Sequence, residues 1–142
     1  MLDLSFRNET SDKEFGEDFF KPVLEHASAV LELQKPITTS VTLVSEAKMK
    51  SLNKKYRHKD AVTDVLSFPT DTTTPNDDIL EAGDIVICLS YARERAQAEK
   101  VAIKDHIRWM AVHGFLHLLG YDHEKSPEAE REMFDLEKKI LE

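Results

Sequence analysis

HGFLHLLGYDH, residues 113–123, decides how this chain is read. His113 and His117 are four apart in a segment, roughly residues 105–119, that otherwise has the apolar pattern of a buried helix. At about 100° per residue such a pair shares one helical face, and two imidazoles one turn apart can chelate one divalent ion. Gly120 interrupts the helix. Glycine takes a left-handed cap without steric cost, so the chain can reverse there and bring His123 to the open side of the same ion. Three neutral imidazoles with a fourth position left to water is the composition of a catalytic zinc site. A lone histidine beside an apolar face is more often a hydrogen-bonded core residue. Three at H-x3-H-x2-G-x2-H spacing, out of six in the chain, favour a metal.

The rest of the composition sets bounds on that site. A length of 142 residues suits one domain, 1–142, around a single core. Apolar content of 41% with 32% charged residues fits a soluble globular protein and not a disordered one. No run approaches the roughly 18 apolar residues of a membrane span. The opening MLDLSFRNETSDKEF is acidic and polar, which does not read as a signal peptide. The single cysteine, Cys88, excludes an internal disulfide, suits a reducing cytoplasm, and reads as a small buried hydrophobe in a strand. A formal charge of -8 argues against a general nucleic-acid coat but leaves room for a local basic patch.

Along the whole chain, the histidine helix included, the patterning predicts four strands and about five helices. Residues 2–7 (LDLSFR) alternate as a strand, and Ser11 with Glu14 reads as a capping box opening a helix to about residue 33, which Pro22 divides or kinks. His26 in that helix has no ligand set around it. Residues 38–45 (TTSVTLVS) form a second strand, and Ser45 caps a helix from residue 46 to about 56. Residues 64–68 (DVLSF) make a third strand, stopped by Pro69, and TDTTTPNDD reads as a mobile surface loop. Residues 83–89 (GDIVICL) are a strand buried on both faces, Ser90 caps a helix to about residue 100, and Ser126-Pro127 opens a last helix. Met133, Leu136 and Ile140 give that last helix an apolar stripe for core packing. The fold class is α/β of the α+β type. The connection between strands three and four is too short for a helical crossover, so those two pair antiparallel.

A zinc on three histidines lowers the pKa of bound water to about 7 and polarises carbonyl or phosphoryl oxygens. That chemistry is hydrolysis, with the substrate left open. The histidines and glycine match the zinc-protease pattern H-E-x-x-H-x-x-G-x-x-H, so the histidine helix is zincin-like, but Gly114 stands where the protease has its general base. Proteolysis is thereby marked down. Asp105, Asp122 and Glu124 are available acids, each more simply read as orienting a histidine or as solvated. Lys48, Lys50, Lys54, Lys55, Arg57, His58 and Lys59 make a basic cluster in an acidic chain. Each lysine alone reads as part of a solvated face; together they read as a surface for phosphates. Arg57 beside a metal can hold a phosphodiester bidentately, whereas alone it is a surface ion-pair residue.

In order, LNKKYRHKDAVTDVLSFP, GDIVIC and HGFLHLLGYDH resemble the successive signatures of the YbeY family, bacterial endoribonucleases of rRNA maturation. The resemblance implies a small mixed sheet, one Zn2+ per chain on His113, His117 and His123, and a functional role for Arg57 and His113. It also implies single-strand-specific cleavage in maturation of the 16S rRNA 3′ end and a part in ribosome quality control. The partners it implies are rRNA, the small ribosomal subunit, and a ribosomal protein or assembly GTPase, with no membrane. Ala61-Val62 departs from the proline expected before TDVLSFP, which touches only local loop geometry.

The expected function is therefore a cytoplasmic, zinc-dependent endoribonuclease in which Arg57 engages the phosphate and Lys50, Lys54 and Lys55 guide RNA. Two rivals stand beside it: an assembly factor with a structural metal, and a metal-dependent hydrolase of another substrate. Other divalent transition metals also suit three imidazoles.

Overall fold

Strict alternation along β2 (Ile37–Leu43) buries every second side chain against the helices, and β1 (Leu2–Asn8) pairs beside it in parallel. The computed structural model describes residues 2–70 and 78–142. Within them the order continues with α1 (Glu17–Val30) between β1 and β2, then α2 (Glu46–Arg57), β3 (Val65–Pro69) and β4 (Leu80–Ile87). Three helices close the chain: α3 (Leu89–Glu99), α4 (Ile103–Leu118) and α5 (Pro127–Leu141). The sheet is four-stranded in the order β1-β2-β4-β3, parallel except for the antiparallel β3–β4 pair. The mixed sheet and the antiparallel pair are those expected. The loop predicted for TDTTTPNDD falls mostly on residues 71–77, outside the described residues.

β4 is a central strand and is apolar on both faces. Ile85 and Ile87 join the large core formed with α1, α3, α4 and α5. Val86 points the other way, into a smaller cluster with Met49 of α2, Leu66 and Cys88. The sheet thus lies between α2 and the remaining helices. α4 is the helix around which the larger layer packs: Ile107, Met110, Ala111, Val112, Phe115 and Leu116 are fully buried. It touches β3, β4, α1, α3 and α5.

Three local expectations are corrected. The Ser11/Glu14 capping box does not form; α1 starts at Glu17 behind Gly16, which offers no side-chain cap. A tertiary ion pair took its acid. Arg93 of α3 reaches Asp12 at 3.0 Å and Glu14 at 2.9 Å, while Asn8 holds the intervening turn by donating to the Asp12 carbonyl. Pro22 lies inside α1 without ending it. The proline lacks the N–H that would bond Asp18, whose exposed carbonyl water can satisfy. Cys88, expected in a strand, is the residue before α3, and Ser90 does not cap that helix; its hydroxyl donates to Glu46 across the sheet end. Ser45 and Ser126 do cap, accepting from Lys48 N–H at 3.2 Å and Ala129 N–H at 3.0 Å.

Candidate metal centre and its cleft

The last turn of α4 closes as the sequence requires. Tyr121 N–H bonds the Leu116 carbonyl and Gly120 N–H that of His117, with Gly120 at φ +100°. This paired closure around a left-handed residue satisfies two carbonyls that the helix would otherwise leave bare. It turns the chain so that His123 faces the helix it has just left. One ring nitrogen each from His113, His117 and His123 then lie within 4.8 Å of one another.

What fixes the His113 ring comes from α5. Its Nδ1 is 2.9 Å from Glu137 Oε1, and the other carboxylate oxygen accepts from the Trp109 indole N–H at 2.7 Å. A carboxylate can only accept, so Nδ1 carries the proton and the Nε2 lone pair is free to face the cluster. Nε2 of His117 lies 3.1 Å from it. Trp109 also stacks on His113 with ring centroids 4.7 Å apart. The imidazole is thus held in plane by one contact and in rotation by another.

The donor set fits a divalent ion. Burial foremost, and then the neighbouring His113 and His123 rings, hold the His117 imidazole below its ordinary pKa, which favours the neutral ligand form. His123 Nδ1 is buried with no hydrogen-bond partner among the described residues. A carboxylate behind a histidine, as Glu137 stands behind His113, is the arrangement that orients metal-binding imidazoles.

Gly114 lies at a tight contact between helix and sheet. A Cβ there would come within 3.1 Å of both Ile85 Cγ2 and Ser67 Oγ, and the Ser67 hydroxyl donates to the Gly114 carbonyl. The position where a zinc peptidase carries its glutamate is here the contact of α4 with β3 and β4.

The three histidines open on a cleft of about 680 Å³ whose far wall is the end of α2 and strand β3. Arg57 lines it, together with Tyr56, Ser67, Phe68, Asp122 and Glu124. Arg57 is exposed and has no hydrogen bond or ion pair among the described residues, so its five donors are unengaged. His58, in the left-handed conformation at φ 59°, ends α2 immediately after it. The following loop is pinned where Asn53 Nδ2 donates to the Ala61 carbonyl at 2.9 Å, and Val62, in place of the expected proline, packs on the smaller apolar cluster.

The structure therefore brings Arg57 and the three histidines to one cleft. Lys50, Lys54 and Lys55 are exposed on α2 and are not among the lining residues; Lys50 lies 3.8 Å from Asp60. Of the candidate acids, Asp122 and Glu124 line the cleft and Asp105 does not. Sequence reading missed Glu137, although a signal existed: it shares the α5 stripe with Met133 and Ile140, and all three are buried. An acid in an apolar stripe needs a partner. It also missed Arg95 of α3, which lines the cleft and pairs with Glu99 at 3.1 Å. Asp64, a cleft residue too, is buried 3.4 Å from His106.

A family model described as Endoribonuclease YbeY matches residues 4–142. Proteins named Endoribonuclease YbeY from Sulfurihydrogenibium sp. and Persephonella marina are 39% and 37% identical to this chain. Each match spans 94% of this chain, and 86% and 87% of the two relatives. One from Oenococcus oeni is 41% identical across 86% of this chain and 82% of its own length. The solution structure of TM1509 from Thermotoga maritima is similar with a TM-score of 0.65 at 28% identity, covering 97% of this chain and 86% of that one. With its sheet, its histidine helix and its full run of signatures matched across nearly all its length, the chain belongs to the YbeY family.

Proposed function

We propose that this protein is a zinc-dependent, single-strand-specific endoribonuclease of the cytoplasm, acting in maturation of the 16S rRNA 3′ end and in ribosome quality control. The observation that carries the reading is the convergence of three imidazoles and an unengaged arginine on one cleft. Relatives named as endoribonucleases supply the substrate class. His113, His117 and His123 would hold the ion, whose chemistry is the polarisation of water and of a phosphoryl oxygen near neutral pH.

The chain's own residues do the rest. Arg57 binds the phosphodiester through its planar fork and offsets charge that builds on the non-bridging oxygens. Glu137 keeps His113 in the tautomer that presents Nε2. Of the acids that line the cleft, Asp122 and Glu124 would accept a proton. Lys50, Lys54 and Lys55 lie outside the cleft on the same helix as Arg57 and draw RNA toward it by charge. Ribosomal particles, through rRNA of the small subunit and a ribosomal protein or an assembly GTPase, supply the specificity that an acidic chain with a local basic patch cannot.

The test is cleavage of a defined 16S precursor by purified protein, expected to be lost on chelation and on His113→Ala. If the variant cuts as well as wild type, the activity belongs to a contaminant and this mechanism falls. Binding without cleavage by the metal-loaded protein would instead favour an assembly factor with a structural metal, the reading to which the glycine at 114 lends weight.

A further inference from the structure

The stripe that packs α2 on the sheet runs Met49, Asn53 and then Tyr56. The first two are buried, but Tyr56 is 54% exposed, one of few large apolar side chains left open. It emerges where the helix reaches the cleft, and it lines that cleft beside Arg57. Its ring is nonetheless held. Phe68, anchored in the cluster beneath α2, meets it in a T-shaped contact with centroids 5.0 Å apart and planes at 66°. Lys55 Nζ stands 5.2 Å from its centroid. A fixed, half-open aromatic ring among cations, next to a guanidinium with no partner among the described residues, is the combination by which proteins hold single-stranded nucleic acid. The base stacks on the ring while the backbone is tracked by charge.

We propose that Tyr56 is a base-stacking platform, a substrate-binding residue that takes one unpaired base of RNA whose backbone runs past Arg57. The inference rests on the endoribonuclease reading above and deepens it by naming what in the cleft selects single strands. In an A-form duplex the base faces are covered by their neighbours, so a duplex offers Tyr56 nothing to stack on. The Phe68 contact explains why the ring keeps its orientation without RNA, which lowers the ordering cost of binding.

The experiment uses the metal-loaded protein and a short, hydrolysis-resistant single strand (2′-O-methyl, phosphorothioate) carrying 2-aminopurine, whose fluorescence falls on stacking. Wild type and Tyr56→Phe should quench the probe and bind alike. Tyr56→Ala should lose the quench and bind roughly five- to a hundredfold more weakly, with the salt dependence of binding unchanged because the phosphate contacts remain. The same sequence annealed to its complement should not distinguish Tyr56→Ala from wild type. Wild-type quench and affinity in Tyr56→Ala would overturn the platform while leaving the RNA reading intact. Failure of wild type to bind the single strand at all would overturn the RNA reading, and the platform with it. Equal melting temperatures for the three proteins show that binding, not folding, is being compared.

Discussion

On the α4–α5 side of the cleft, His113 is braced by Glu137 and stacked on Trp109, which itself donates to Glu137. On the α2 side, Arg57 and Tyr56 stand exposed with Lys54 beside them outside the cleft, and Arg57 has no hydrogen bond or ion pair among the described residues. The first wall is defined by burial and directed hydrogen bonds, the second by exposure and charge. A metal site needs ligand atoms fixed to fractions of an ångström with their lone pairs converging, and only a packed, bonded environment supplies that. A surface for a flexible, repeating polyanion gains from mobile charge and from donors not yet engaged. The two walls should therefore fail in different ways.

The largest effect is expected from removing a ligand. His123→Ala should abolish stoichiometric metal, read by elemental analysis of protein purified without a metal-affinity tag, because the remaining pair on α4 can only chelate from one side. Stoichiometric metal in that variant would break the three-histidine assignment. Next comes Glu137→Gln. An amide offers one acceptor oxygen where Trp109 and His113 both donate, so metal affinity should fall by about 10- to 100-fold in a chelator competition. The melting temperature should fall too, since one buried donor loses its acceptor. An unchanged affinity would reduce Glu137 to a packing residue and erase the contrast between the walls.

Acidity should act on the first wall through His117. Burial and its two neighbours lower the pKa of His117. Below the ordinary histidine value of about 6.5, the unfolded chain then binds a proton that the folded chain still refuses. Metal-free protein should lose stability as pH falls from there through the lowered folded value, with a slope of at most one proton from this group. The metal-loaded protein should shed its ion over the same range, where imidazoles protonate. A flat melting profile between pH 7 and 5 would count against this.

The smallest effect on the fold belongs to the exposed lysines of α2, outside the second wall. Replacing Lys50, Lys54 and Lys55 together by Ala should change stability by about 0.5 kcal/mol or less. It should weaken RNA binding at low salt and reduce the slope of log affinity against log salt by about 2. An unaltered slope would return these lysines to a solvated face, and a large loss of stability would show that this face of α2 is structural after all.

The same division explains what the sequence disclosed. The candidate ligand set is local, three histidines and a glycine in one helix and its cap, so spacing alone brought the three rings into one cluster. The strands and the antiparallel β3–β4 pair followed from alternation and from a connection too short for a crossover. The brace behind His113 could not be read that way. Glu137 is 24 residues on, and only the docking of α5 on α4 brings them together. The lost capping box is the same lesson in reverse: Ser11 and Glu14 had the right local chemistry, but Arg93, 81 residues from Asp12, took the acids of that turn. Local signals were reliable wherever no distant partner competed for the same atoms.

Gly114 bears on which enzymes lie near this one in sequence space. The histidine spacing is shared with peptidases, and the missing glutamate is a small change in the gene. Yet the space in which that side chain would begin is already held by Ser67 and Ile85. A lineage drifting toward peptide hydrolysis would need Ser67 and Ile85 to give by a few tenths of an ångström where α4 meets the sheet before a carboxylate at 114 could be accommodated. The two chemistries sit close together on paper and are separated in the fold by a contact that two side chains of the sheet would have to yield.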